Sequence, residues 1–167
     1  ITDLTDRFLE GYAATPKTVP YFHVPLQSGS DAVLESMKRW YRVDFYASRL
    51  EAARRILGPD IAIFTDFMVG FPTETDENFK ESLAFAQSMR FAGMHIFRYS
   101  PRGGTPAAAL APCYGPAELE GRIARARRLD QEFRAQFADR FVGRTLPVLM
   151  EQKKSEGILA RAENFLE

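Results

Sequence analysis

Three short stretches of this chain collect the residue types that hold a polar small molecule. They are Gln27-Ser28-Gly29-Ser30, then Val69-Gly70-Phe71-Pro72 with Glu74 close behind, then Tyr99-Ser100 with Arg102 and two glycines. Glycine permits tight turns, so amides and short side chains converge on one ligand. Gly70 interrupts an apolar run, and a buried strand that delivers a Gly-Pro turn and then a helix is where α/β proteins bind small molecules. Arg102 beside Gly103-Gly104 is placed to pair with phosphate or carboxylate. Each stretch has a plainer reading as well. Ser30 suits a helix cap, Gly70-Phe71-Pro72 a strand-to-helix turn, and Arg102 a solvated loop. Glu74 fits equally as an acid favoured by a helix N-terminus and as a polar contact in a site.

The elements that must position these stretches follow from periodicity. Residues 4–12 are a short helical pattern. Residues 21–26 read as a strand, and Ser30 or Asp31 caps a helix bearing Val33, Leu34 and Met37. A helix over 44–57 ends at Gly58-Pro59. The apolar run 61–69 suits a strand covered on both faces. Thr75 caps a helix bearing Phe79, Leu83 and Ala86. Residues 93–99 form a third strand, with Met94, Ile96 and Arg98 on one side and His95, Phe97 and Tyr99 on the other. A long loop, 100–116, precedes a charged helix over 117–141 with the stripe Leu119, Ile123, Ala126 or Leu129, Phe133, Phe137 and Phe141. Strands at 146–150 and 157–162, joined by a charged turn at 151–156, have a different grammar and suggest a second, all-β module.

Strands separated by helices make βα units, and so a parallel sheet in a doubly wound fold or part of a (β/α) barrel. In both folds ligands sit beyond the carboxyl ends of the strands. All three polar stretches fall there. Asp66 interrupts the apolar run and needs a partner, because an unpaired buried charge is costly. Arg98 and His23 are the candidates, and a structural ion pair fits as well as a substrate role. His23 alternates with Phe22 and Val24, so it projects to one face. That face is read as the barrel interior, with no catalytic role assigned. Lys38–Arg42, KRWYR, combines cations with aromatics, which suits stacking and phosphate contacts, and equally suits a helix end with its aromatics tucked in.

Composition narrows the classes. Lys plus Arg number 22 and Asp plus Glu 22, so no chain-wide electrostatic grip on nucleic acid exists, though a local basic face does not conflict with this. Arg122, Arg125, Arg127 and Arg128 crowd the first half of the long helix, as a solvated face or an RNA-facing one. One cysteine, Cys113, supports neither a disulfide framework nor a cysteine metal cluster from this chain alone, and fits a reduced, cytoplasmic setting. No apolar run approaches the ~20 residues that span a bilayer, and no signal peptide is visible. The chain starts at Ile1 and ends at Glu167 just after an apolar pair, which suggests a piece of a longer protein.

Three segments together resemble the radical-SAM tRNA methylthiotransferases: HVPLQSGSDAVLESMKR at 23–39, TDFMVGFPTETDENF at 65–79 and FRYSPRGGTPAA at 97–108. They occur in the family order at the family spacing, and the match covers about residues 21–140. HIFRYS and FADRFVGRTLPVL lean toward the threonylcarbamoyladenosine branch, with the isopentenyladenosine branch open. The ribosomal-protein branch has a different strand-end motif. The resemblance implies an α/β fold in which residues 1–142 are the C-terminal half of a partial triose-phosphate-isomerase-like barrel, and 143–167 the start of a tRNA-binding TRAM β module. It implies S-adenosylmethionine as cofactor, with Gln27, Ser28 and Ser30 toward its methionyl or ribose part and Val69, Gly70, Phe71 and Pro72 near its adenine. It places His23, Asp66, Glu74, Tyr99, Ser100 and Arg102 toward substrate or RNA.

The same resemblance implies a parent with two 4Fe-4S clusters, whose cysteines would lie upstream of Ile1, leaving no metal ligand here and no role for Cys113. The parent's radical would remove hydrogen from carbon 2 of a hypermodified adenosine in the tRNA anticodon loop, followed by sulfur insertion and methylation. The partners implied are that loop and the upstream half of the same chain, with no membrane. No catalytic residue is assigned, and the piece alone is expected to be inactive. Two departures stand out: Thr73 where the family often has Gly, and Arg42 where a capping Thr is common. The rival readings are a radical-SAM enzyme of the same barrel with a different substrate, and a non-catalytic RNA-binding module.

Overall fold

A computed structural model describes residues 1–155 and 157–166. Helix α1 is Asp6–Ala13, strand β1 is Tyr21–His23, and helices α2 and α3 are Asp31–Ser36 and Val43–Leu57. Strand β2, Ala62–Val69, leads to α4, Asp76–Met89, and β3 is Gly93–Arg98. After a short 3-10 turn at Pro106–Ala109 come α5, Pro116–Asp139, and strands β4, Val148–Lys154, and β5, Gly157–Ala162. Strands β1, β2 and β3 form one parallel sheet in that order, with His23 opposite Phe64 and Asp66 opposite His95.

Strand β1 ends earlier than the sequence pattern predicts, and Pro25 is the reason: it has no N–H for the ladder. The hydroxyl of Thr65 bridges the gap, accepting from Leu26 N at 2.9 Å and donating to Val24 O at 2.8 Å. The line of β1 then resumes as one parallel bridge between Gln27 and Phe67.

From Ile63 on, burial alternates along β2. Ile63, Thr65, Phe67 and Val69 are buried, in a core with Tyr46, Leu50, Phe79 and Ala86 from α3 and α4. Phe64, Asp66 and Met68 point the other way and stay partly exposed, together with His23, His95 and Phe97. Helix α4 starts with a capping box: Thr75 Oγ1 accepts from Asn78 N, and Asn78 Oδ1 accepts from Thr75 N, both at 3.2 Å. Arg42 gives α3 no side-chain cap; Asp31 Oδ1 supplies it from a distance, accepting from Val43 N at 2.9 Å.

Helix α5 lies against β3 and α4, burying Ile123, Ala126, Leu129, Phe133 and Phe137. Arg122 is buried with them, so part of the Arg-rich stretch is core rather than surface. Beyond α5, β4 and β5 pair antiparallel in a sheet of their own. Strand β4 runs on through Lys154, past an irregularity between Met150 and Gln152, so most of the charged segment 151–156 is strand and not turn. Glu156, within that segment, lies outside the described residues. The chain then returns to the main sheet, where the ring of Phe165 stacks on Tyr21 with centroids 4.0 Å apart. Among the described residues no helix is long and apolar enough to cross a membrane.

Candidate functional site

The three polar stretches meet at one groove beyond the carboxyl ends of β1, β2 and β3. Its volume is about 700 Å³, within the range of small-molecule sites. Gln27, Met68, Phe71, Phe97 and Tyr99 line it, with Ser100 and Arg102 at one rim and Lys38 and Arg39 at the other. The lining is apolar at its floor and cationic at its edge.

Gln27 takes a left-handed backbone, φ 70°, and is pinned to β2 on both sides: its N–H donates to Asp66 O and its carbonyl accepts from Met68 N, each at 2.9 Å. The rest of the QSGS loop faces away from the groove. A Cβ on Gly29 would lie 2.8 Å from Ser82 Cα and Ser82 O, so only glycine lets the loop sit this close to α4. Ser28 shares a hydrogen bond with Ser82 at 2.9 Å, and Ser30 donates to Glu81 at 2.7 Å. Both serines are fully buried. Ser28 and Ser30, expected toward the cofactor, brace the loop on α4, and Gln27 alone of the three lines the groove. Ser30 occupies the cap position of α2 without making a side-chain cap bond.

In the second stretch the roles also divide. Val69 is buried on the helix side of the sheet, and Phe71 meets Tyr99 edge-on with centroids 5.2 Å apart. Gly70 has φ +82°, and a Cβ there would come within 2.5 Å of Leu119 Cδ1. Pro72 is buried, and its carbonyl accepts from Cys113 N at 3.1 Å. Thr73, exposed, donates to Ser36 at 2.9 Å.

Glu74, expected toward substrate, is buried. Its Oε1 accepts from Gly70 N at 3.1 Å and from Arg122 Nη1 at 2.9 Å. Arg122 also donates to Glu74 O at 2.8 Å and to Glu118, and lies over the rings of Phe79 and Tyr114. Tyr114 in turn donates to Gly70 O. Burial pushes the Glu74 carboxyl above its ordinary pKa, with the Gly70 amide and Arg122 pulling it back. The turn that carries Phe71 is thus clamped to α5 by a buried ion pair. Sequence reasoning placed Arg122 only among surface arginines. Its position three residues after Leu119 and four before Ala126, on the apolar stripe, was the available signal.

At the third strand end, Tyr99 N donates to Val69 O at 2.9 Å. The Tyr99 hydroxyl is buried with no hydrogen-bond partner among the described residues, a cost that a ligand in the groove would relieve. Ser100 and Arg102 are exposed. Arg98 pairs with Glu120 at 2.7 Å and not with Asp66. Asp66 instead meets His23 Nε2 at 2.9 Å and, on the opposite side, His95 Nδ1 at 3.3 Å. His95 was missed as a partner, although strand alternation already placed it on the Phe97 side.

The KRWYR segment splits. Tyr41 is buried and donates to Leu26 O at 2.8 Å, which ties it to the QSGS loop. Trp40 stays exposed, edge-on to Phe45, and Arg42 pairs with Asp31 and Glu35.

Gln27, Phe71 and the Tyr99 hydroxyl fit a nucleoside cofactor: a polar side chain, an aromatic surface and a buried polar group with no bond among the described residues. An iron–sulfur cluster does not fit these residues. Such clusters take several cysteine thiolates, whereas the one cysteine here, Cys113, is turned to Glu74 O at 3.1 Å.

Comparison with known proteins adds a family. The model of the Radical SAM superfamily matches residues 2–86. The tRNA-2-methylthio-N(6)-dimethylallyladenosine synthase of Maricaulis maris is 41% identical over 153 residues, 90% of this chain and 33% of the relative. The enzyme of the same name from Endomicrobium trichonymphae is 36% identical over 162 residues, 97% of this chain and 38% of the relative. The chain thus spans about a third of the length of these curated relatives. Among solved structures, coproporphyrinogen III oxidase from Escherichia coli, a radical SAM enzyme, superposes with a TM-score of 0.57 at 17% identity, over 68% of this chain and 27% of that one. This last likeness is one of fold.

Proposed function

The chain belongs to the radical SAM superfamily, and from that premise we propose that it forms the cofactor-facing and substrate-facing part of a tRNA methylthiotransferase. The observation that carries this is the meeting of three separate strand-end loops on one groove, in a chain with relatives of that name. Gln27, the Gly70–Phe71 turn and Tyr99 hold S-adenosylmethionine. When bound, it supplies the hydrogen-abstracting chemistry. These residues orient the nucleoside, Phe71 and Phe97 exclude water, and Arg39 and Arg102 hold the charged edge of the substrate. The clusters belong to residues outside this chain. Residues 1–142 contribute half of a barrel and 143–167 begin a β module that grips tRNA, so the isolated chain has no turnover.

The acceptor is carbon 2 of an N6-modified adenosine beside the anticodon. The relatives' names favour the dimethylallyl modification. A second reading, threonylcarbamoyl, has the HIFRYS segment in its favour, and its carboxylate would find Arg102 and Arg39 at the rim. The deciding experiment supplies the full-length, cluster-loaded protein with tRNA bearing either modification and looks by mass spectrometry for the 2-methylthio product. Product on one tRNA identifies the substrate. Tight tRNA binding that ignores S-adenosylmethionine, with no product on either, would leave an RNA-binding module instead.

A further inference from the structure

The open face of the main sheet carries a side-chain cluster that the groove does not account for. Asp66 sits at the centre of β2, His95 is its registered neighbour on β3, and His23 reaches it from β1. One oxygen, Asp66 Oδ1, takes both rings: His23 through Nε2 at 2.9 Å and His95 through Nδ1 at 3.3 Å. A carboxylate has no proton to give, so each of those nitrogens must be the donor. In neutral imidazole the other nitrogen then carries a lone pair. His23 Nδ1, His95 Nε2 and Asp66 Oδ2 are all left as acceptors.

The surroundings are flat and mostly apolar. Phe97 stacks with the His95 ring at 5.7 Å, and Phe97 and Met68 continue into the lining of the groove. Tyr21, on the same face, has its phenol pKa raised first by burial and then by the Asp66 charge. The cluster therefore lies one step below the groove floor and presents acceptors beside aromatic surface.

We propose that His23, Asp66 and His95 form a hydrogen-bond-accepting platform that reads an exocyclic N–H of a stacked purine, the N6–H of the modified adenosine. This rests on the function proposed above and deepens it: the cofactor takes the rim and the substrate base takes the platform. Asp66 fixes the tautomer of both imidazoles and so sets the pattern. A base without that N–H leaves the acceptors facing a methyl group.

The test uses the full-length enzyme and two tRNAs. One carries N6-dimethylallyladenosine. The other carries an additional N6-methyl group, which removes the N–H. The wild-type protein should lose about 10- to 100-fold in kcat/KM on the N-methylated tRNA, the worth of one hydrogen bond to a charged acceptor. Asp66→Asn, His23→Gln and His95→Gln should each shrink that ratio, chiefly through KM on the normal substrate. Thermal melting checks the fold of each variant. If Asp66→Asn does not fold, His95→Gln carries the comparison, because that side chain is 73% exposed. A wild-type ratio near one, or a ratio unchanged in the variants, overturns the platform while leaving the enzyme assignment standing. No methylthiolation of either the dimethylallyl or the threonylcarbamoyl tRNA by the wild-type protein overturns the functional reading, and the platform with it.

Discussion

The two faces of β2 are built from the same eight residues and do opposite work. Ile63, Thr65, Phe67 and Val69 are buried, and even the one polar member, Thr65, is fully engaged with Val24, Leu26 and Tyr46. Phe64, Asp66 and Met68, one step out of phase, are covered by no helix of the α3–α4 layer and face the two histidines. Period-two geometry thus separates what holds the sheet from what is free to meet a ligand. From Thr65 on, the parity of a residue number on this strand forecasts whether a substitution is felt in stability or in binding; Ala62 and Phe64, at its start, are even-numbered yet pack with Phe137 and Phe141.

The largest effect should fall on the covered face. Phe67→Ala removes a fully buried ring and should cost about 3–5 kcal/mol in chemical denaturation. Met68→Ala, next in sequence on the open face, should cost about 1 kcal/mol or less. Equal losses would erase the distinction between the faces.

A similar loss is expected at the Glu74–Arg122 clamp. Arg122→Met leaves Glu74 buried without its cation and should cost about 3–5 kcal/mol. Adding Glu74→Gln should return a good part of it, since the uncompensated charge is gone. The pH dependence has a definite sign. The folded Glu74 carboxyl is raised above its unfolded value, so the folded chain binds that proton more tightly. As pH falls toward the ordinary glutamate value of roughly 4.3, the wild type should gain stability relative to Glu74→Gln. A wild type that loses ground to the variant over that window would contradict the direction of the shift.

Smaller again is Tyr46→Phe. The hydroxyl donates to Val24 O at 2.6 Å, beneath the kink that Pro25 imposes on β1. Its loss should cost about 1 kcal/mol, because Thr65 still serves the same carbonyl.

Much of the scaffold was legible. The apolar run at 61–69, the Thr75 cap and the alternation of β3 each have a local cause, and these three elements lie within a residue or two of their expected bounds. What needed coordinates were pairings set by distance in the chain. Ser28 and Ser30 look like ligand contacts until α4 arrives against Gly29 and takes both hydroxyls. Glu74 looks like a helix-start acid until α5, 48 positions on, buries Arg122 over it. Asp66 announced its need for a partner, but the choice of His95 over Arg98 depends on strand register, which spacing alone does not set. The charges at 151–154 misled for the opposite reason: they suit a turn, yet a strand tolerates them as well.

The smallest stability effect should be at Asp66 itself. Asn is isosteric, the site is part-exposed, and ion pairs of that kind contribute between nothing and about 1 kcal/mol. Asp66→Asn should therefore melt close to the wild-type chain, within about 1 kcal/mol. It also offers the histidines a donor in place of a pure acceptor, so one ring can turn its lone pair inward and reverse its outward pattern. Proton-detected NMR of the imidazole nitrogens should show His23 as the Nε2–H tautomer and His95 as the Nδ1–H tautomer in the wild type, with a mixture in the variant. A loss of several kcal/mol would mean that Asp66 belongs to the supporting structure after all. The even-numbered face of β2 would then be no freer than the odd one.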